Sequence, residues 1–134
     1  MKEPRWLKET VVQAIHRRQL AEHSGLDGVR DPGMLASALV RPRNLFAYTD
    51  SKPDLAALAA CYAFDIAKNH AFVDGNKRTA YVVCRTFLEL NGHDIAATES
   101  EKYHGMLALA DGTIDEQALA HWIRDRLIKV RRRR

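Results

Sequence analysis

Between Ala80 and Leu90 only Arg85, Thr86 and Glu89 are polar. A helix this apolar has to be covered on almost every side, because apolar surface left in water costs about 25 cal/mol per Å². The rest of a 134-residue chain must therefore wrap around it, and that length suffices for one domain with one core. Helical periodicity dominates the remaining sequence. No convincing strand alternation, internal repeat or linker is present. The expected fold is all-α, with about six helices around one buried central helix.

The other helices announce themselves by periodicity and punctuation. A first helix is expected over Leu7–Glu22, with Val12, Ile15 and Leu20 on its apolar face and Gly25 and Gly28 breaking it. His16 shares that face, as a hydrogen-bonded core residue or as the wall of a site. Asp31-Pro32 reads as an N-cap followed by proline at the first helical position, and Arg41-Pro42 as the stop of that second helix. Arg43–Ser51, with Leu45, Phe46 and Tyr48, is then an irregular segment with room for a short strand or hairpin flap. Pro53-Asp54 opens a third helix to Asn69, buried along Leu55, Leu58, Ala59, Tyr62 and Ile66. The central helix runs from Asn76 to Leu90 and stops at Asn91-Gly92. Thr98 with Glu101, and Thr113 with Glu116, read as capping boxes for the fifth and sixth helices. Leu119, Trp122, Ile123 and Leu127 form the core face of the last.

The net charge of +4 describes the end of the chain rather than its body. Lys129 and Arg131–Arg134 carry five positive charges, and without them the total is −1. The chain divides into a nearly neutral domain over residues 1–128 and a basic tail over 129–134. A terminal charge run of this kind is usually solvated, and a nucleic-acid or acidic-partner contact is its alternative use. Cys61 and Cys84 fall inside helices without metal-ligand spacing and read as buried free thiols. No stretch has the length of a membrane span, and Met1–Trp6 lacks the apolar run of a secretory leader. The expectation is a cytoplasmic protein without membrane contact.

Directly before the central helix stands His70-Ala71-Phe72-Val73-Asp74-Gly75-Asn76-Lys77-Arg78. Helix N-termini present free N–H groups and about half a positive charge, so they bind phosphate. Lys77 and Arg78 in that first turn oppose the dipole by roughly 0.3–1 kcal/mol each, and a bound anion would remove the conflict. Gly75 permits a close backbone approach or a positive φ. Asp74 either caps the helix, pairs with Lys77, or meets a cation shared with the anion; Mg²⁺, which typically takes one or two carboxylates plus substrate phosphates, suits that case. At the loop entrance a neutral His70 imidazole could accept a proton from an attacking hydroxyl. Phe72 is expected to point into the core.

This run closely resembles the signature of the Fic/Doc superfamily, whose common form is H-x-F-x-[D/E]-G-N-G-R-x-x-R. His70, Phe72, Asp74, Gly75, Asn76 and Arg78 match it, while Lys77 replaces the second glycine and Tyr81 the final arginine. Both departures fit the pattern of the Doc (death-on-curing) type toxins, H-x-F-x-[D/N]-[A/G]-N-K-R-T-A, which His70–Ala80 satisfies throughout. The resemblance extends over roughly residues 7–127, including Gly25–Asp31 and Phe87-Leu88 through Asn91-Gly92. It implies a six-helix Fic/Doc-like bundle and an ATP-dependent transferase. In Doc-type members the γ-phosphoryl goes to a threonine hydroxyl of translation elongation factor Tu, which arrests translation. Carried over, His70 is the general base and Asp74 the Mg²⁺ ligand, with Gly75, Asn76, Lys77 and Arg78 holding the nucleotide phosphates. The inhibitory pattern [S/T]-x-x-x-E-[G/N] of many Fic proteins is missing, so restraint is expected from a cognate antitoxin, landing on the first helices and the Leu45–Tyr48 segment.

Three other readings compete. An AMP transferase of the ordinary Fic kind would use the same site. A metal-dependent phosphohydrolase of the HD type is suggested by His93-Asp94 and His104, although the Asn91-Gly92 stop puts that pair in a loop, where the HD fold needs a helix. A non-catalytic reading is a binding module that has lost catalysis, or an RNA or DNA binder that uses the Arg131–Arg134 tail.

Overall fold

The computed structural model describes residues 2–130. Within them the chain forms six helices: α1 Glu9–His23, α2 Pro32–Tyr48, α3 Leu55–Asn69, α4 Asn76–Leu90, α5 Glu99–Ala110 and α6 Glu116–Arg126. Two three-residue strands complete it, β1 His93–Ile95 and β2 Leu127–Lys129. They pair antiparallel with Asp94 opposite Ile128. The all-α expectation holds, with this small sheet as its β content. The sheet takes in Lys129, the first residue of the expected basic tail; Arg131–Arg134 lie outside the described residues.

Local chemistry starts most of the helices. Asp31, Asp54 and Asp115 each accept the N–H three residues on, from Met34, Ala57 and Ala118. Thr98 and Glu101 form a reciprocal capping box. The sixth helix is therefore capped by Asp115 rather than by Thr113. The amides of Thr113 and Ile114 both turn back onto the Ala108 carbonyl, so the chain is still closing α5 at that point.

Two expectations about elements are corrected. The second helix does not stop at Arg41-Pro42 but runs through to Tyr48, so no strand or flap forms at Arg43–Ser51. An internal proline costs about 3 kcal/mol. Here the buried stripe Leu35, Ala38, Leu39, Pro42 and Phe46 continues across it at helical spacing. Arg41 ties the same stretch to Asp65 at 2.7 Å and Glu116 at 2.7 Å. Lys52 closes the far end by donating to the Phe46 carbonyl at 2.6 Å. Tertiary contacts outweigh the local break.

The innermost helix is α3 rather than α4. Ten of its residues are buried, Ala56, Ala59, Ala60, Ala63 and Ala67 among them, and these small side chains let neighbours pack against several of its faces. Beside it, α4 keeps an outer edge of Lys77, Tyr81, Arg85 and Glu89, four residues apart. The core joins Tyr62 of α3 to Phe87 of α4, with ring centroids 5.0 Å apart. Trp6 covers it, stacked on Phe87 and edge-on to Phe46. Cys61 and Cys84 are buried free thiols, and burial pushes the Cys84 thiol up to about 12. No described helix is long and apolar enough to cross a membrane.

Candidate active site

The site begins where α3 ends. His70 closes that helix in the left-handed region, φ 49° and ψ 51°, a conformation that side-chain-bearing residues rarely adopt. The loop behind it is held from several sides. Val73 N–H donates to the Gly28 carbonyl at 3.0 Å, and Arg30 N–H to that of Ala71 at 2.8 Å. Phe72 is fully buried and stacks on His16, ring centroids 3.8 Å apart and nearly parallel. His16 is also buried, with Nε2 2.7 Å from the Asp74 carbonyl oxygen. The core reading of His16 and the inward Phe72 are what the structure contains, and one supports the other.

Asn76 lines the cleft at the start of α4 and also ties the loop together. Its Oδ1 accepts from Phe72 N–H and its Nδ2 donates to the Phe72 carbonyl, both at 3.0 Å, and the residue is buried. Its side chain is a clamp across the loop. Gly75 has φ 76°, and a Cβ there would come within 3.3 Å of Leu20 Cδ2. Asp74 directs its carboxylate toward the Gly25–Leu26 backbone and accepts from Leu26 N–H at 3.2 Å and Gly75 N–H at 2.9 Å. A Cβ on Gly25 would lie 3.0 Å from Asp74 Oδ2, so glycine there is what allows the approach.

Gly75 gives α4 no side-chain cap, so the amino end of this helix opens toward a cleft of about 330 Å³. His70, Asp74, Lys77 and Arg78 line the cleft together with His23 and Tyr103. Neither cation is locked away. Lys77 Nζ is 3.6 Å from Asp111 with both side chains at least half exposed, a pair of little worth. Arg78 lies over the Tyr103 ring, 5.5 Å from its centroid. Tyr81 turns to α5 instead, donating to Glu99 at 2.7 Å; burial and that bond push its phenol up to about 12.

The arrangement gathers an imidazole, a carboxylate, two cations and a free helix terminus around one space. Chemically it can hold a polyphosphate and take a proton from a hydroxyl beside it. Among the described residues no group of three or more His, Cys, Asp or Glu is placed to hold a metal ion. A single exposed carboxylate such as Asp74 in the cleft wall could serve Mg²⁺, since that ion typically takes one or two carboxylates and keeps water and phosphate oxygens as most of its ligands. His93 and Asp94 lie in β1, Asp94 paired with Arg85, and not on a helix. Sequence reasoning missed Arg30, His23 and Tyr103, which reach the site across 25 or more residues from other elements; no spacing rule connects them to the motif.

A family model described as the Fic/DOC family matches residues 6–88. The chain is 46% identical over 69 residues to the protein called Toxin Doc of Mycolicibacterium smegmatis, covering 52% of this chain and 53% of that one. It is 35% identical over 79 residues to Protein kinase doc of Escherichia phage P1, covering 59% of this chain and 62% of that one. The chain thus spans between half and two thirds of the length of these curated relatives.

Proposed function

The chain belongs to the Fic/DOC family, and from that premise we propose that it is a Doc-type toxin acting in the cytoplasm. In this reading it moves the γ-phosphoryl of ATP to a threonine hydroxyl of a translation factor of the elongation factor Tu class, arresting translation and growth. The relatives named Toxin Doc and Protein kinase doc support both halves of the reading, toxin and kinase. The observation that carries it is the uncapped amino end of α4, opening into a cleft with His70, Asp74, Lys77 and Arg78 on its wall.

Phosphoryl transfer asks a protein mainly for positioning and charge neutralisation. The α4 amides receive phosphate oxygens, Gly75 leaves the turn without a side chain, and Lys77 and Arg78 supply charge from the same turn. Asn76 contributes by fixing the loop through Phe72. His70 accepts the proton of the attacking threonine hydroxyl as the Oγ–Pγ bond forms and the bond to the β-phosphate oxygen breaks, releasing ADP. Asp74 would hold Mg²⁺, which when bound neutralises charge on the phosphates. Lys77 in place of a second glycine narrows the turn, and Tyr81 offers a hydroxyl already held by Glu99, not a guanidinium fork. Both features favour transfer of the terminal phosphoryl over that of AMP. A cognate antitoxin restrains the toxin from outside.

The test is incubation with γ-labelled or α-labelled ATP and a bacterial lysate. Label is expected from the γ position only, on one translation factor, and lost in His70→Ala and Arg78→Ala. Both variants should relieve growth inhibition while keeping the wild-type melting profile. Transfer of α-label would make the protein an AMP transferase. Full toxicity in folded His70→Ala would remove the imidazole from the reaction.

A further inference from the structure

Arg30 is far from the His70–Arg78 loop in sequence and in contact with it in space. Its Nε donates to the His70 carbonyl at 2.6 Å and its Nη2 to the Asn69 carbonyl at 3.0 Å. These are carbonyls at the closing end of α3, which the helix itself leaves without amide partners. A guanidinium placed there also meets the negative end of the helix dipole. The main chain around Arg30 is fastened to the same loop: Arg30 N–H and Asp31 N–H both donate to the Ala71 carbonyl, at 2.8 and 3.1 Å. Asp31 is in turn fixed as the cap of α2. One residue thus carries the rigid start of α2 onto the carbonyls of Asn69, His70 and Ala71.

What it grips is the strained point of the site. His70 holds a left-handed backbone without being glycine, a state that persists only where surroundings over-determine it. We propose that Arg30 is a positioning residue for the His70 imidazole. By bracketing the Asn69 and His70 carbonyls it sets the turn from which the ring enters the cleft, and its fork of donors matches two carbonyls at once. The consequence for turnover rests on His70 being the base of the proposed transfer; the consequence for the placement of the ring does not.

Two measurements on the full chain separate these. In protein carrying ¹⁵N-labelled histidine, six imidazoles are observable. Arg30→Ala should shift the ring resonances of His70 while leaving those of His16, buried on the Asp74 carbonyl, in place as the mark of an intact loop and core. Should His16 also move, Arg30→Gln, which keeps donors without the charge, is read in the same way. In steady-state transfer, kcat should fall about ten- to a hundredfold, the scale of a small misplacement of a reacting group. KM for ATP should stay within about twofold, and Arg30→Lys, a single point donor, should recover part of kcat. Unchanged His70 signals in a folded variant overturn the proposal, as does a raised KM with kcat intact. Should the wild-type protein transfer nothing, the reaction assigned above fails, and the His70 resonances still decide what Arg30 does.

Discussion

His70 meets two requirements that conflict. The end of α3 calls for a residue that accepts positive φ, where glycine is the usual choice. The transfer proposed for the cleft calls for an imidazole. The strain of an L-residue in that region is about 1–2 kcal/mol, and Arg30, Ala71 and the paired strip at Gly28–Arg30 hold it in place. The two substitutions that remove the imidazole should therefore differ in stability. His70→Gly is expected to be more stable than His70→Ala by about 1 kcal/mol, both being inactive, as read by urea unfolding. Equal stability would mean that the backbone at this position relaxes once the ring is gone.

The elements are joined by charged side chains that bridge helices rather than sit along one. Arg41 links α2 to α3 and α6 through Asp65 and Glu116, and burial raises the Asp65 carboxyl although the guanidinium lies beside it. Asp54 is at once the N-cap of α3 and the partner of Arg124 in α6, which holds both its carboxylate oxygens. The Arg124 hydrogen bonds hold the Asp54 carboxyl below its usual range, aided by the Ala57 amide. A carboxylate with a lowered folded pKa stabilises above its unfolded pKa and loses that contribution as pH falls through the folded value. Asp54→Asn, which keeps a capping oxygen but removes the charge, should cost at most about 1 kcal/mol at neutral pH, because the pair is partly exposed. The difference from wild type should fade below about pH 4. A difference undiminished at pH 3 would place the effect in packing instead of charge.

Across the whole molecule, segments before α1 and after α6 meet at one corner. Arg5 exchanges two backbone hydrogen bonds with the Asn91 side chain, and Val130 N–H donates to the Gly92 carbonyl. Leu7 N–H reaches the hydroxyl of buried Tyr62 at 3.3 Å, and Trp6 lies between Phe46 and Phe87. The strap before α1 therefore seals the face of the core opposite no single helix but across α2, α3 and α4 together. Trp6→Ala is expected to lower the unfolding free energy by about 2–3 kcal/mol, less than for a fully buried ring, with the urea m-value unchanged. Transfer activity measured well below the melting transition should be retained, since Trp6 does not line the cleft. Lost activity in a fully folded variant would show that the strap shapes the site.

Caps, stops and periodicity act over four residues or fewer, so Asp31, Asp54, Thr98 and the α4 limits Asn76 and Leu90 were legible without a fold. The same holds for the residues of the candidate site, because His70, Asp74, Gly75, Asn76, Lys77 and Arg78, which line one cleft, occupy one continuous run whose cations contradict the helix dipole unless an anion is expected there. What local pattern could not decide was set by distant partners. Pro42 reads as a helix stop until Asp65, Glu116 and Lys52 hold the helix across it, and α4 reads as central until the alanines of α3 draw its neighbours closer. In each case a short-range preference of a few kcal/mol at most met long-range burial and hydrogen bonding of equal or larger size, and those forces exist only once the chain is packed.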